Sequence, residues 1–242
     1  MDHVVAVYGR MPVLEALTDP ATPVELVLLA RTARGDTVDD IVRLAGARGV
    51  PLKRVAPEKV TRRSGNGRHD QGVVAEVVAP GLGELDHWLS SRTPGAVLVL
   101  DGVTNPQNVG MIIRTATAAG LDGLVLPRVG SPDVGPLVVK ASAGVAFRAT
   151  ILRAPTALDA VRSLAAAGLE TIGLRADAPD LFTSPVPDRG AWVLGSEHDG
   201  ISPEVAGHLD AWRSLPLAAG VESLNVAVTA GIVAYEVARR RP

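Results

Sequence analysis

Apolar residues recur along the chain in two rhythms, short unbroken runs and longer stretches where they return at helical spacing, and the two alternate throughout. The runs predict strands at Val4–Gly9, Val24–Ala30, PLKRVA (51–56), Gly72–Val78, Val97–Leu100, Gly123–Leu126, FRATIL (147–152), Glu170–Arg175, Ala191–Ser196 and RSLPL (213–217). Between them lie helical patterns. MPVLEAL (11–17) carries Pro12 in its first turn, and DTVDDIVRLAGARG (36–49) has Asp36 as a cap and Val38, Ile41, Val42 and Leu44 as its buried stripe. APEKVTRRSG (56–65) is a short basic helix, and MIIRTATAAG (111–120) stops at Gly120. Pro136–Ala146 ends near Gly144, TALDAVRSLAAAG (156–168) is capped by Thr156, and SPEVAGHL (202–209) by Ser202. A last helix runs from about Asn225 into Arg239, Arg240 and Arg241, cations that suit the carboxyl end of its dipole.

Strand–helix alternation of this kind predicts an α/β fold, a mostly parallel sheet with helices on both faces. Pro80, Gly81, Gly83, Pro94 and Gly95 break the pattern in the middle. They divide the chain into a small α/β module at 1–78, a linker at 79–95 with one amphipathic turn (Leu82, Leu85, Trp88, Leu89), and a larger domain at 96–242.

Composition narrows the picture. Among 242 residues, 47% are hydrophobic but only 3% aromatic, so Val, Leu, Ala and Ile must build the core. With no cysteine, disulfides, thiolate metal sites and cysteine nucleophiles are excluded. The start, MDHVVAVYGRM, lacks a signal-peptide core and no run reaches membrane-spanning length, so a cytoplasmic protein is expected. The net charge of −2 by itself argues against a nucleic-acid partner. Locally, however, Lys53, Arg54, Lys59, Arg62, Arg63 and Arg68 face the single acid Glu58, a patch able to contact phosphates. The same run also suits a solvated helix face and a mobile loop.

Three loops follow apolar runs and mix Gly with Asn, Ser or Glu: DGVTNPQNVG (101–110), GSEHDG (195–200) and SLPLAAGVESLN (214–225). In a parallel sheet such loops share one edge, where ligands bind; each alone also suits an ordinary turn. The first leads into a helix bearing Arg114, close to Asn105 and Asn108. Neither GxGxxG after Val97–Leu100 nor GxxxxGK[ST] is present. His3, His69, His87, His198 and His208 lack metal-ligand spacing, so no metal is expected, and Ser196 with His198 lacks a nucleophile elbow.

Three segments, NPQNVGMIIRTA (105–116), LGSEHDGI (194–201) and LPLAAGVESLNVAVTAGIVAYE (215–236), together resemble the motifs of the SpoU (TrmH-like) branch of the SPOUT superfamily of RNA ribose methyltransferases, in order and spacing. VYGRMPVLEAL (7–17) and RHDQGVVAEV (68–77) resemble the ribosomal-protein-like RNA-binding domain that precedes the catalytic domain in many members. The resemblance implies a SPOUT-type sheet, a carboxyl-terminal trefoil knot, S-adenosylmethionine held bent among the knot loops, and an active site shared across a homodimer. By position it implies cofactor contacts at Gly195, Leu215 and Leu224, and a ribose site formed by Asn108, Arg114, Glu197, Ser223 and Asn225. Lys53, Arg54, Arg62, Arg63 and Arg68 would hold RNA, with ribosomal RNA favoured over transfer RNA.

The residue types suit such chemistry. A ribose hydroxyl is a poor nucleophile that must attack in line, so alignment is a main task of the site. The resemblance offers Arg114 as the base that takes its proton. A guanidinium has no acceptor, so a phosphate anchor that stabilises the developing alkoxide is the preferred role. Asn108, Glu197, Ser223 and Asn225 also suit capping or loop-holding roles. His198 stands where the family commonly has a small residue, and Phe147 where relatives often carry an acid; both bear on target identity. A transfer-RNA methyltransferase, a non-catalytic RNA-binding or assembly protein of the same fold, and a small-molecule methyltransferase are the alternatives.

Overall fold

A computed structural model describes residues 3–79 and 81–241; positions 1, 2, 80 and 242, among them the linker marker Pro80, lie outside the described residues. The chain forms two compact units, Met1–Pro80 together with Val134–Arg148, and Gly81–Asp133 together with Ala149–Pro242.

The first unit contains β1 (His3–Tyr8), α1 (Arg10–Thr18), β2 (Val24–Ala30), α2 (Asp36–Ala47), β3 (Leu52–Val55), α3 (Pro57–Ser64) and β4 (Val73–Ala79). Its sheet runs β1-β4-β2-β3. β4 is antiparallel to both neighbours, and only β2 and β3 are parallel. Asp36 does not cap α2; Gly35 holds that position and Asp36 opens the first turn, where its charge suits the dipole. Arg48 closes α1, donating to the carbonyls of Ala16, Leu17 and Asp19 at 3.0 Å, which the helix end leaves without partners.

The second unit is a seven-stranded, wholly parallel sheet. It comprises β5 (Leu82–Glu84), α4 (Leu85–Leu89), β6 (Ala96–Leu100), α5 (Pro106–Ala118) and β7 (Gly123–Pro127), with α6 (Pro136–Ala141) of the first unit intervening in sequence. It continues with β8 (Ile151–Ala154), α7 (Ala157–Ala166), β9 (Glu170–Leu174), β10 (Gly190–Leu194), α8 (Pro203–Ala206), β11 (Ala211–Arg213) and α9 (Val226–Arg240). Strand order is β11-β9-β10-β6-β7-β8-β5. β6, β7 and β10 are buried at every position, as expected of parallel strands covered on both faces. Val97, Val99, Val125, Ala191 and Val193 pack against Ala160, Val161 and Leu164 of α7. α5 and α9 pack together and contact β7 and β10 respectively.

The structure departs from the apolar pattern in places. Within the predicted linker, β5 pairs with β8 as an edge of the large sheet; its sequence, Leu-Gly-Glu, carries no apolar run. The helix expected over 136–146 stops at Ala141, because Ala143 (φ 50) and Gly144 (φ 77) turn left-handed. The last short strand lies at Ala211–Arg213, ahead of Pro216. No helix among the described residues is long and apolar enough to cross a membrane.

Candidate functional site

Because every strand of the large sheet is parallel, the loops leaving β6, β9, β10 and β11 share its carboxyl edge. After β6 the chain turns at Gly102 (φ 70) and enters α5 through Asn105, whose side chain accepts from the Gln107 N–H at 2.9 Å. Pro106 takes the first helical position, where no amide hydrogen is needed. The helix therefore starts five residues before Met111, and Asn108 is an internal residue of its first turn, not a cap. There it is only 5% exposed.

After β10, Gly195 opens a tight loop closed by bonds between Ser196 and Gly200 (2.9 and 3.1 Å). A side chain at Gly195 would lie 2.0 Å from the Gly200 carbonyl carbon, so the loop closes only over glycine. Asp101 ties the β6 loop to this region by accepting from the Ser202 N–H at 2.7 Å. Asn225 caps α9, its Oδ1 accepting from the Ala227 N–H at 2.9 Å.

These elements bring three predicted residues together. Glu197 Oε1 accepts from Asn225 Nδ2 at 2.6 Å, from Asn108 Nδ2 at 3.2 Å and from the Val226 N–H at 3.2 Å. Asn225 Nδ2 also donates to Asn108 Oδ1 at 3.2 Å. Capping settles which way the Asn225 amide points, since Oδ1 must face the helix and the donor nitrogen is left for the carboxylate. The Glu197 charge sits at the amino end of α9, where the helix dipole favours it. Glu197 Oε2 has no hydrogen-bond partner among the described residues.

Glu197 lines two hollows, and Asn108 lines the smaller of them. One, about 290 Å³, is bounded by Gly102–Asn105, Asn108 and Ser196–Asp199. The other, about 490 Å³, is bounded by Leu174–Ala176, the β10 loop, Leu215 and Glu222–Leu224. Gly195, Leu215, Ser223 and Leu224, predicted from widely separated segments, all line the larger one. Its size suits a small-molecule ligand, and Gly195 and Gly200 expose main chain along its wall. These features fit S-adenosylmethionine.

Arg114 is not brought into the cluster. Six residues beyond Asn108, it lies roughly 240° further round an α-helix. It is exposed and makes no hydrogen bond or ion pair among the described residues. Ser223 is exposed and caps nothing, since Asn225 holds that position. In the small unit, Lys53, Arg54, Arg62 and Arg68 are exposed, whereas Arg63 is engaged with Glu76. The sequence reasoning passed over Arg175, which lines the larger hollow. Its loop, RADAPD, lacks the Gly and Asn content of the others, but its place directly after a strand was a usable signal. No group of His, Asp or Glu among the described residues could hold a metal ion.

Comparison with known proteins finds relatives that span both units. The model of the SpoU rRNA Methylase family matches residues 95–235, and that described as RNA 2′-O ribose methyltransferase substrate binding matches residues 6–81. A 23S rRNA (guanosine-2′-O-)-methyltransferase RlmB of Xylella fastidiosa is 31% identical over 241 residues, covering 97% of this chain and 96% of the relative. A protein of Mycolicibacterium vanbaalenii named as an uncharacterized tRNA/rRNA methyltransferase is 34% identical over 248 residues, covering 99% of this chain and 78% of its own length. Among solved structures, the SpoU methyltransferase AviRb of Streptomyces viridochromogenes in complex with AdoMet superposes with a TM-score of 0.67 at 27% identity, covering 98% of this chain and 90% of that one. An AdoMet-bound rRNA methyltransferase of Sinorhizobium meliloti gives 0.68 at 25% identity, covering 98% and 87%.

Proposed function

We propose that this chain, which belongs to the SpoU rRNA methylase family and is an S-adenosylmethionine-dependent RNA methyltransferase, methylates a ribose 2′-hydroxyl of 23S-type ribosomal RNA. The observation that carries the proposal is the Asn108–Glu197–Asn225 cluster, whose Glu197 lines two hollows, one sized for the cofactor and one opening on the α5 loop. Similarity to the RlmB relative across 97% of this chain, the small amino-terminal unit included, favours ribosomal over transfer RNA.

Gly195, Leu215 and Leu224 would hold the cofactor, with Ser223 beside them in the same wall. When bound, S-adenosylmethionine supplies an electrophilic methyl group on a sulfonium. The chain's task is to bring a ribose hydroxyl into line with it, and alignment of this kind supplies up to about 7–11 kcal/mol in favourable cases. Glu197 Oε1 is occupied in holding both asparagines and the start of α9, so Oε2 is the atom left to accept a hydrogen bond from the hydroxyl. Asn108 fixes that carboxylate from the α5 side and Asn225 from the α9 side.

Arg114 completes the site from a second copy of the chain. Its separation from the cluster of its own chain supports this, as do Met111, Val228 and Tyr235, which α5 and α9 expose at 42%, 53% and 56%. In such a homodimer Arg114 anchors the phosphate beside the target nucleotide and stabilises the alkoxide, a role that a guanidinium's fixed charge suits. A carboxyl-terminal trefoil knot formed by the segments after β9, and a cytoplasmic location alongside the ribosome, belong to the same proposal. Lys53, Arg54, Arg62 and Arg68 grip RNA phosphates, with Arg63 contributing less because of Glu76.

The test is incubation with methyl-labelled S-adenosylmethionine and unmodified total ribosomal and transfer RNA. Label is expected in 23S-type RNA; label confined to transfer RNA overturns the substrate assignment.

A further inference from the structure

S-adenosylmethionine carries a carboxylate at its amino-acid end, and a binding site gains by offering that group a cation. Three acids line the larger hollow, Glu197, Asp199 and Glu222, but only one Lys or Arg does so among the described residues, Arg175. Its position is defined by several contacts. The backbone N–H of Arg175 donates to Arg213 O at 3.0 Å, joining the end of β9 to the end of β11. The guanidinium carbon lies 4.8 Å from the centroid of the Trp212 ring. That ring is itself seated on Gly173, where any side chain would come within 2.7 Å of it. Nε pairs with Asp177 Oδ1 at 3.0 Å. The two Nη atoms make no hydrogen bond among the described residues, so the outer edge of the fork is open.

A guanidinium laid on an aromatic face, with one edge held by a carboxylate and the other free, is preorganised for a second carboxylate. We infer that Arg175 binds the α-carboxylate of S-adenosylmethionine and sets the protein's preference for the intact amino-acid tail. This rests on the cofactor reading above and adds a side-chain contact to a site otherwise formed largely by main chain.

The test is calorimetric titration of the full-length chain, wild type and Arg175→Met, with S-adenosylmethionine and with its decarboxylated analogue. Methionine keeps an apolar stem over Trp212. For a half-exposed charge-assisted contact, the wild type should prefer the intact cofactor by about tenfold. Arg175→Met should bind the analogue as the wild type does and show no preference, while Arg175→Lys should keep part of it. An unchanged preference in Arg175→Met, no preference in the wild type, or equal loss of both ligands in the variant overturns the assignment, the last because it marks a structural role. Failure of the wild type to bind either ligand would instead sink the cofactor reading itself.

Discussion

Asn225 Nδ2 and Glu197 Oε1 lie 2.6 Å apart, the shortest bond in a cluster that also holds Asn108, 117 residues from Asn225 in sequence. One asparagine thus starts a helix with its oxygen and fixes the candidate catalytic carboxylate with its nitrogen.

In the proposed site Glu197 has separable structural and chemical roles. Glu197→Ala leaves the buried Asn108 amide and the α9 amino end without their acceptor, an expected cost of about 1–3 kcal/mol. That is a fall in Tm of roughly 2–4 °C per kcal/mol for a chain of this size. Glu197→Gln keeps an acceptor oxygen and should recover most of the Tm, yet methyl transfer should remain down by about a hundredfold. Thermal unfolding and single-turnover transfer, measured on both variants, check this; recovery of the rate in Gln would reduce the carboxylate to a scaffold.

Much of the architecture was legible in the sequence because parallel strands buried on both faces leave an unbroken apolar signature, as in Val97–Leu100 and Ala191–Leu194. Thr156 and Ser202 were legible as caps from local chemistry alone. The failures have physical causes as well. β5 is a three-residue edge strand stabilised by pairing with β8, which no local pattern records. Asn105 and Asn108 are alternative caps by composition, and only the backbone assigns the cap to Asn105, which leaves Asn108 free for Glu197. Gly195, Leu215 and Leu224, singled out by the family motifs, line one hollow; Arg175 belongs to no motif, and only its place directly after a strand marked it in the sequence.

In the proposed homodimer Arg114 is expected to act on the partner copy's site. Arg114→Ala and Asn225→Ala should each be nearly inactive alone. Co-expressed, they form mixed dimers in which one of the two sites is intact, which should restore roughly a quarter of wild-type activity for a two-fold assembly. Transfer assays on the purified mixture read this directly. No recovery in verified mixed dimers would place Arg114 in its own chain's site.

RNA affinity should respond to the small unit independently of cofactor affinity. Combined Arg54→Ala and Arg62→Ala should raise KM for RNA and lower the salt dependence of binding by about 0.7–0.9 in slope per lost phosphate contact. Arg63→Ala should do less, since that guanidinium is already engaged with Glu76. Filter binding across a salt series, with calorimetry of S-adenosylmethionine as the control, separates the two affinities.

Asp122 offers a pH signature of the large unit. Burial raises its pKa, but hydrogen bonds from the Ala96 and Gly95 N–H groups and the Arg241 charge outweigh this and leave it below the ordinary carboxylate value. A lowered folded pKa stabilises the protein above the unfolded value and loses that contribution as pH falls through the folded one. Asp122→Asn should thus be less stable at pH 7, by on the order of 1 kcal/mol for a partly exposed group. The gap from wild type should begin to narrow as pH falls below about 4 and go on narrowing through the lower folded value. Denaturant midpoints across that pH range would show it, and a gap independent of pH would contradict it.

Methyl transfer to a ribose oxygen leaves its own signature in alkaline cleavage of the product. A methylated 2′-oxygen cannot attack the adjacent phosphate, so unmodified 23S-type RNA treated with the wild type and S-adenosylmethionine should show one cleavage-resistant linkage, absent after treatment with Asn225→Ala. RNA that gains label while remaining cleavable at every linkage would place the methyl group on a base and contradict the account.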